Sequence, residues 1–368
     1  MDVERDLAGI ALPFAAGVAI IVLGSSLFHF GLPLYSGLPC LIILSSIAIL
    51  LHPAHQAIPS SLLRFTIGSC LVCCGAFCAL TAEAISATEF HPGRFMEYAS
   101  GFATSMGDTI DSIGFCNPNT NAIIKALIIG ERSDIPPHIA EAFRLSGASH
   151  ILALSGLHLG IIYGIISRVL SVLGNTQTAQ AIRSISICIM CGLYTLAVGA
   201  GASILRAFLF IFLGETARMT GRYKSIGSIL IGALMIHLTT DPKAIREIGF
   251  QLSYAAMAGI AFIFPWLKGF WPEISRKLNP VHWIWKTAAM SISCQITTGP
   301  LAWFYFGTFP VHFLLTNLIA LPLIALIIPS ALLTIVMNQC GFCPETASRA
   351  TEALVTTLSD ALEIISSM

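Results

Sequence analysis

Residues 311–337 contain no aspartate, glutamate, lysine or arginine, and similar apolar runs recur along most of the chain. A run of about 20 apolar residues crosses the hydrocarbon core of a bilayer as one α-helix. Charged residues make up 10% of the 368 residues, whereas a soluble domain has about a quarter. The sequence therefore predicts an all-α fold, a polytopic transmembrane helix bundle.

About ten spans are predicted, several of them short or interrupted by proline or glycine. Such interruptions are tolerated where neighbouring helices or a watery cavity satisfy the freed backbone groups. The predicted spans are residues 8–29, 38–51, 62–85, 149–173, 185–200, 202–217, 226–239, 248–267, 282–306 and 311–337.

The spans divide the chain into four regions. Residues 1–86 form N-terminal transmembrane helices, residues 87–148 an extracytoplasmic amphipathic segment, residues 149–340 a transmembrane domain, and residues 341–368 a short amphipathic tail. Within the second region, apolar residues from Phe95 to Ile113 recur near a helical period. This pattern predicts a short helix lying in the outer interface or packed on top of the bundle. Residues 121–127 and 138–145 predict two further short helices.

The distribution of positive charge predicts the orientation. Cytoplasmic loops of membrane proteins are enriched in lysine and arginine. If the N-terminus is cytoplasmic, 12 of the 19 lysine and arginine residues lie inside, among them Arg218, Lys224 and Arg349, whereas Lys125 lies outside. We therefore expect a multi-pass protein with a cytoplasmic N-terminus. The net charge of zero excludes the basic surface of a soluble nucleic-acid-binding protein.

One motif places ionisable side chains at the outer end of an apolar span. It reads His150-Ile-Leu-Ala-Leu-Ser155-Gly156-Leu-His158-Leu-Gly160. Ionisable groups are costly in hydrocarbon, so such a cluster indicates a functional site. On a continuous helix Ser155 and His158 lie about 60° apart. The interpretation that they only hydrogen-bond between helices stays open. On the opposite side, glycines at every fourth position form a predicted helix-packing stripe: Gly156, Gly160 and Gly164.

Other polar residues within the spans are candidates for lining a path. They are Arg206, Gln251, Gln295 and Asn317. Amide side chains can bind phosphates or base edges without carrying a charge, although single amides more often join two helices. Arg206 lies near the outer end of its span, where its side chain could instead reach the interface.

The ordered series of motifs resembles the bacterial competence channels of the ComEC type. The series begins with Lys125-Ala-Leu-Ile-Ile-Gly130-Glu131-Arg132 and Leu152-Ala-Leu-Ser155-Gly156-Leu-His158. It continues with Ser203-Ile-Leu-Arg206-Ala207, Phe250-Gln251-Leu-Ser253-Tyr254 and the run from Tyr305 to Pro322. The resemblance covers roughly residues 94–337. It implies an inner-membrane channel subunit that moves single-stranded DNA into the cytoplasm during natural transformation, with the candidate polar residues along the DNA path.

The chain departs from the family pattern in two ways. No segment is long or strand-like enough for the family's oligonucleotide-binding barrel, and no HxHxDH cluster marks its nuclease-like domain. The resemblance therefore implies the membrane core alone, with an extracytoplasmic DNA receptor as a partner. No GxxxxGK[ST] run is present, so a separate cytoplasmic ATPase or DNA-binding proteins are expected to drive import. Whether the pore forms within one chain or in a homo-oligomer stays open.

Three alternatives remain at this point. The chain could be an intramembrane hydrolase that uses Ser155 with His158, or a transporter for another anionic substrate. A metal site on His150 and His158 would need ligands from other helices. No cofactor and no metal are predicted, because Cys70, Cys73, Cys74 and Cys78 share a helical face that carries no histidine or carboxylate.

Overall fold

The computed structural model describes residues 2–24, 60–85, 94–221, 225–270, 280–307, 312–342 and 345–368, together with residues 39, 42 and 43. Every regular element in these ranges is helical, which confirms the all-α prediction. The first helices are α1 (Asp2–Gly24), α2 (Ser60–Ile85), α3 (Arg94–Ser112), α4 (Pro118–Ile128), α5 (Pro137–Leu145), α6 (Ser149–Leu152) and α7 (Gly156–Leu170). Then follow α8 (Gln177–Ala197), α9 (Ala202–Met219), α10 (Ile226–Thr240), α11 (Ile248–Ala258), α12 (Phe264–Lys268), α13 (Pro280–Phe306), α14 (Phe313–Gln339) and α15 (Glu345–Ser366).

Several helices have the length and composition of membrane spans. Four are long and apolar enough to cross a bilayer: Gly156–Leu173, Gln177–Ala197, Ile248–Lys268 and Phe313–Gln339. Three shorter stretches are also apolar: Ala8–Leu23, Arg64–Leu80 and Ile226–Thr240. These helices agree with a membrane protein, whereas the count of ten spans stays a prediction. The predicted span 38–51 lies outside the described residues, apart from positions 39, 42 and 43.

The chain forms two units, and the first contains Met1–His91 and Tyr223–Tyr254. In it, α1 packs against α2 at two glycines. A Cβ atom on Gly17 would overlap the carbonyl of Val72, and one on Gly75 would overlap the carbonyl of Phe14. Glycine at both positions therefore lets the two backbones touch, which is how small residues drive helix association in membranes.

The second unit contains Pro92–Arg222 and Ala255–Met368, and α14 lies at its centre. Ile324, Ile327 and Ile328 of α14 are almost fully buried in a core that also contains side chains of α4, α5 and α15. The predicted short helices are confirmed as α4 and α5. In α3, Ile110 is fully buried in the same core.

Both ends of α14 are hydrogen-bonded to the segment that precedes the His150–Gly160 motif. At its start, the Thr316 hydroxyl donates to the carbonyl of Ser146 at 2.7 Å. At its end, Gln339 Nε2 donates to the Thr109 hydroxyl at 2.8 Å. A helix of 27 residues is about 40 Å long. The segment from Thr109 to Ser146 therefore runs along α14. The sequence had suggested instead a helix in the outer interface or on top of the bundle.

The C-terminal helix α15 is tied to the start of α4. Glu352 Oε1 accepts a hydrogen bond from the backbone N–H of Asn117 at 2.5 Å, and Oε2 accepts one from the N–H of Cys116 at 3.4 Å. The start of α4 and the helix α15 therefore lie side by side. The locations of Arg349 inside and Lys125 outside the membrane stay predictions. Arg349 forms an ion pair with Glu345. The positive charge that would favour a cytoplasmic location is therefore small in this segment.

This contact gives a topology prediction. A reporter fused after Met368 should report the same side of the membrane as a reporter fused after Asp134, because α15 is in contact with α4. Paired alkaline phosphatase and green fluorescent protein fusions at the two positions measure the side directly. Opposite signals from Met368 and Asp134 would contradict the observed packing.

Candidate functional site

The His150–Gly160 motif contains a break between two helices. Helix α6 ends at Leu152 and α7 begins at Gly156, with Ser155 in an extended conformation at φ −124° and ψ 171°. The prediction of one continuous helix over residues 149–173 is therefore wrong. The reason is local, since serine is a strong N-cap residue and its hydroxyl accepts from the N–H of Leu157 at 3.3 Å.

His158 completes a reciprocal capping arrangement with Ser155. The backbone N–H of Ser155 donates to His158 Nδ1 at 3.1 Å, and the Ser155 hydroxyl oxygen lies 3.0 Å from the same nitrogen. In a neutral imidazole one nitrogen accepts and the other carries the proton. Because Nδ1 accepts the backbone N–H, we assign the proton of neutral His158 to Nε2 from the hydrogen-bond network.

The Nε2–H group of His158 is a buried donor. The side chain has no exposed surface, and Nε2 has no hydrogen-bond partner among the described residues. Leaving a buried polar group unpaired costs about 1–3 kcal/mol, so such groups are rare in folded proteins. This donor lies in the first turn of α7, where the helix dipole is positive and binds anions. The arrangement suits an acceptor oxygen that carries negative charge.

The geometry of His150 and His158 does not suit two ligands of one metal ion. His150 is exposed, and its Nδ1 lies 3.1 Å from the carbonyl of Gly147. His158 lacks a free lone pair, because Nδ1 is bonded and Nε2 carries the proton. Among the residues that the structure describes, no group of three or more His, Cys, Asp or Glu side chains is placed to hold a metal ion.

The same geometry disfavours a serine hydrolase. A nucleophilic serine transfers its proton to a base that a third group orients. Here the accepting atom, His158 Nδ1, is already bonded to the backbone N–H of Ser155. Within the described ranges, no carboxylate hydrogen-bonds His158. Ser155 and His158 therefore form a helix cap.

Helix α7 meets α9 at its first residue. A Cβ on Gly156 would lie 3.3 Å from the Cβ of Ala207, which is closer than ordinary van der Waals contact. At Gly160 and Gly164, a Cβ would have no described atom within 4 Å. The predicted glycine stripe is thus observed in contact at Gly156 alone, because α7 and α9 approach at their starts.

Two predicted path residues lie near the start of α7. Arg206 precedes Ala207 and is 3% exposed, so its side chain does not reach out to the interface. Asn317 follows Thr316, whose bond to Ser146 sets the first turn of α14 beside the turn that leads to His150. The Oδ1 atom of Asn317 is buried and has no partner in the described part of the chain.

Gln251 and Gln295 lie in other surroundings. Gln251 belongs to the first unit, where its Nε2 donates to the carbonyl of Ile245 at 2.9 Å and closes a local turn. Gln295 lies on α13, and its buried Nε2 has no partner among the described atoms. Next to it, α13 packs closely on Gly259, where a Cβ would overlap the carbonyl of Ser293.

A buried carboxylate that sequence reasoning missed joins three helices. Glu215 of α9 is 1% exposed. Its oxygens accept from the hydroxyl of Tyr163 on α7 at 2.8 Å, the hydroxyl of Ser184 on α8 at 2.6 Å and the guanidinium of Arg218 at 2.6 Å. The signal was a lone glutamate inside the predicted span 202–217.

A second cluster precedes the motif. Lys125 Nζ, whose side chain is 9% exposed, lies 2.7 Å from Asp111 and 3.0 Å from Asp134. The hydrogen bond with Asp111 is the largest cause that raises the pKa of Lys125, and Lys125 in turn lowers the pKa of Asp134. Lys125 therefore ties α3, α4 and the turn after α4 together. Beside it lies a cavity of about 340 Å³, also lined by Asp108 and Glu131.

This cluster gives a pH-dependent prediction. Lys125→Met should lower stability at pH 7 by about 1–2 kcal/mol, a value discounted because both carboxylates are half exposed. Since the pKa of Asp134 is lowered, its contribution is present above about pH 4 and is lost as the pH falls through the lowered value. Thermal unfolding at pH 7 and pH 3 measures this. An equal deficit at both pH values would contradict the ion-pair account.

Comparison with known proteins agrees with the sequence pattern. Residues 127–368 match the Competence protein family. The chain belongs to this family. Its matched region begins after Lys125 and includes both the Ser155–His158 cap and the Glu215 cluster. The resemblance of the sequence to competence proteins is therefore confirmed.

Three curated relatives share parts of this Competence family chain. It is 26% identical to "ComE operon protein 3" of Bacillus subtilis (strain 168) over 207 residues, which are 56% of this chain and 25% of that protein. It is 26% identical to "Uncharacterized protein YcaI" of Escherichia coli (strain K12) over 60% of this chain and 30% of the relative. It is 23% identical to "Recombination protein 2" of Haemophilus influenzae over 64% of this chain and 31% of the relative.

The matches thus span about a quarter to a third of the relatives' length. No solved structure matches the chain.

Proposed function

We propose that this chain is an inner-membrane channel subunit that imports single-stranded DNA during natural transformation. Membership of the Competence protein family and the apolar helices support a membrane role in DNA uptake. The observation that carries the proposal is the buried Nε2–H of His158 at the start of a predicted membrane helix, a donor with no acceptor among the described residues. A phosphate of the passing strand supplies that acceptor.

The break before Gly156 supports an anion path. Broken membrane helices direct the N-terminus of a half-helix, which carries partial positive charge, towards anionic groups of the substrate. A neutral imidazole and a helix start attract a phosphate less strongly than a fixed charge does. Conduction requires this balance, since each phosphate must bind and then leave.

The energetics imply partners. Moving one negative charge into the cell against 100 mV costs about 2.3 kcal/mol. A strand with one charge per nucleotide therefore needs a cytoplasmic ATPase or DNA-binding proteins to pull it in, and an extracytoplasmic receptor to deliver it. About ten spans, a cytoplasmic N-terminus and a pore within one chain or between copies complete the proposal.

Deletion in the native host tests this function. The mutant should bind donor DNA at its surface but fail to bring the labelled strand into a nuclease-protected cytoplasmic form, and the wild-type gene on a plasmid should restore this. Electroporated DNA controls for recombination, since it bypasses the channel. Normal uptake in the mutant would refute the proposal and would favour a transporter for another anionic substrate.

A further inference from the structure

The Glu215 cluster lies further along α7 and α9 than the Ser155–His158 cap. The contact between Gly156 and Ala207 shows that α7 and α9 start side by side and run in parallel. The bond between Tyr163 and Glu215 joins them again. At 1.5 Å per residue this second contact is about 11 Å further along the two helices. The cluster therefore lies at a different depth from the Ser155–His158 cap.

The carboxylate of Glu215 is fully satisfied. It has three donors from three helices, of which Arg218 supplies the charge. A buried carboxylate in a span is costly and, by default, marks a function. Packing alone does not need the charge, since two hydroxyl donors would pair equally well with a neutral amide.

The guanidinium of Arg218 has N–H groups beyond those that contact Glu215 and Tyr163. Its Nη1 bonds Glu215, and its Nη2 makes a long contact of 3.4 Å with the Tyr163 hydroxyl. The side chain is 46% exposed. A guanidinium has five N–H groups in a planar fork that matches phosphate oxygens. The remaining N–H groups can therefore bind an anion while the contact with Glu215 persists.

We propose that Arg218 is a second phosphate contact on the path of the strand, and that Glu215 is the counter-ion that keeps this contact weak. The inference rests on the proposed function. A free arginine beside a moving polyanion would hold each phosphate tightly. Glu215 competes for the same guanidinium, so each phosphate is released as the strand advances.

Binding of a fluorescent single-stranded oligonucleotide to the purified full-length protein tests this inference. Glu215→Gln removes the competing charge and keeps an oxygen for the hydroxyl donors, so affinity should rise about three- to tenfold. Arg218→Gln should weaken binding. It should also lower the slope of log affinity against log salt concentration by about 0.7, the value for one phosphate contact on a single strand. In the double variant, Glu215→Gln should no longer raise affinity.

The exposed pair Glu345–Arg349 is the matched control, because it is also an ion pair within one helix. Glu345→Gln should leave oligonucleotide affinity unchanged. If the Glu215→Gln protein does not accumulate, the salt dependence of oligonucleotide binding by Arg218→Gln still tests the inference. Unchanged affinity in Glu215→Gln, an unchanged slope in Arg218→Gln, or no oligonucleotide binding by the wild type would overturn the inference. Normal DNA uptake after gene deletion would instead overturn the proposed function.

Discussion

Replacing Gly75 with leucine is expected to prevent the accumulation of folded protein. A Cβ at this position would overlap the backbone carbonyl of Phe14 in α1, and a carbonyl cannot rotate away as a side chain can. Overpacking in a well-packed interior costs about 1–3 kcal/mol and more where the backbone must move. The loss should appear as low membrane abundance and early thermal unfolding in fluorescence-detected size-exclusion chromatography.

Gly68 provides the matched control on the same helix. A Cβ there would have no described atom within 4 Å, so Gly68→Leu should accumulate like the wild type. The partner helix offers the same comparison, with Gly17→Leu damaging and Gly9→Leu tolerated. Equal abundance of the Gly75 and Gly68 variants would show that α1 and α2 do not approach at this point.

Replacing His158 is expected to lower DNA uptake strongly. The choice of the new residue distinguishes a role on the DNA path from a role in helix capping. His158→Ala removes both the Nε2–H donor and the acceptor for the Ser155 N–H. His158→Gln keeps an acceptor that can cap Ser155, as glutamine does in a capping box, but it lacks the imidazole N–H. A lost hydrogen bond to a charged group costs about 1.5–3 kcal/mol, so uptake should fall about ten- to a hundredfold in both.

Abundance separates the two variants. His158→Gln should accumulate like the wild type, whereas His158→Ala should be less stable by about 1 kcal/mol for the lost cap. His158→Glu adds a test of charge, because it also caps Ser155 yet repels phosphate. Uptake by His158→Glu at the wild-type rate would show that His158 only caps the helix.

The helices could be predicted from the sequence because apolar runs of span length leave few alternatives. The break at Ser155 could not, since Ala153 and Leu154 are apolar and continue the helical pattern. The signal was present in the serine before Gly156, but histidine replaces the usual acidic or amide residue of a capping box. The sequence therefore predicted a continuous helix where the structure has a capped helix start.

Among the described residues, glycine spacing and close helix contact coincide only in part. The regular series through Gly160 and Gly164 has no described neighbour within 4 Å, whereas Gly17 and Gly75, which follow no such series, touch the opposite backbone. Whether a glycine is needed depends on the partner helix, which the spacing does not encode. Likewise, the bond between Glu352 and Asn117 joins residues far apart in sequence, and no local pattern predicts it.

The central claim is that the phosphates of an incoming strand pass the start of α7. Disulfide trapping measures this directly, with donor DNA that carries thiol-tethered phosphates and with cysteine at Ser155 or at Ile189, an exposed position on α8. During uptake, the account predicts an adduct at position 155 above the wild-type background and none at position 189. A Ser155→Cys protein that imports DNA without forming the adduct, or that is labelled no more than Ile189→Cys, would contradict it.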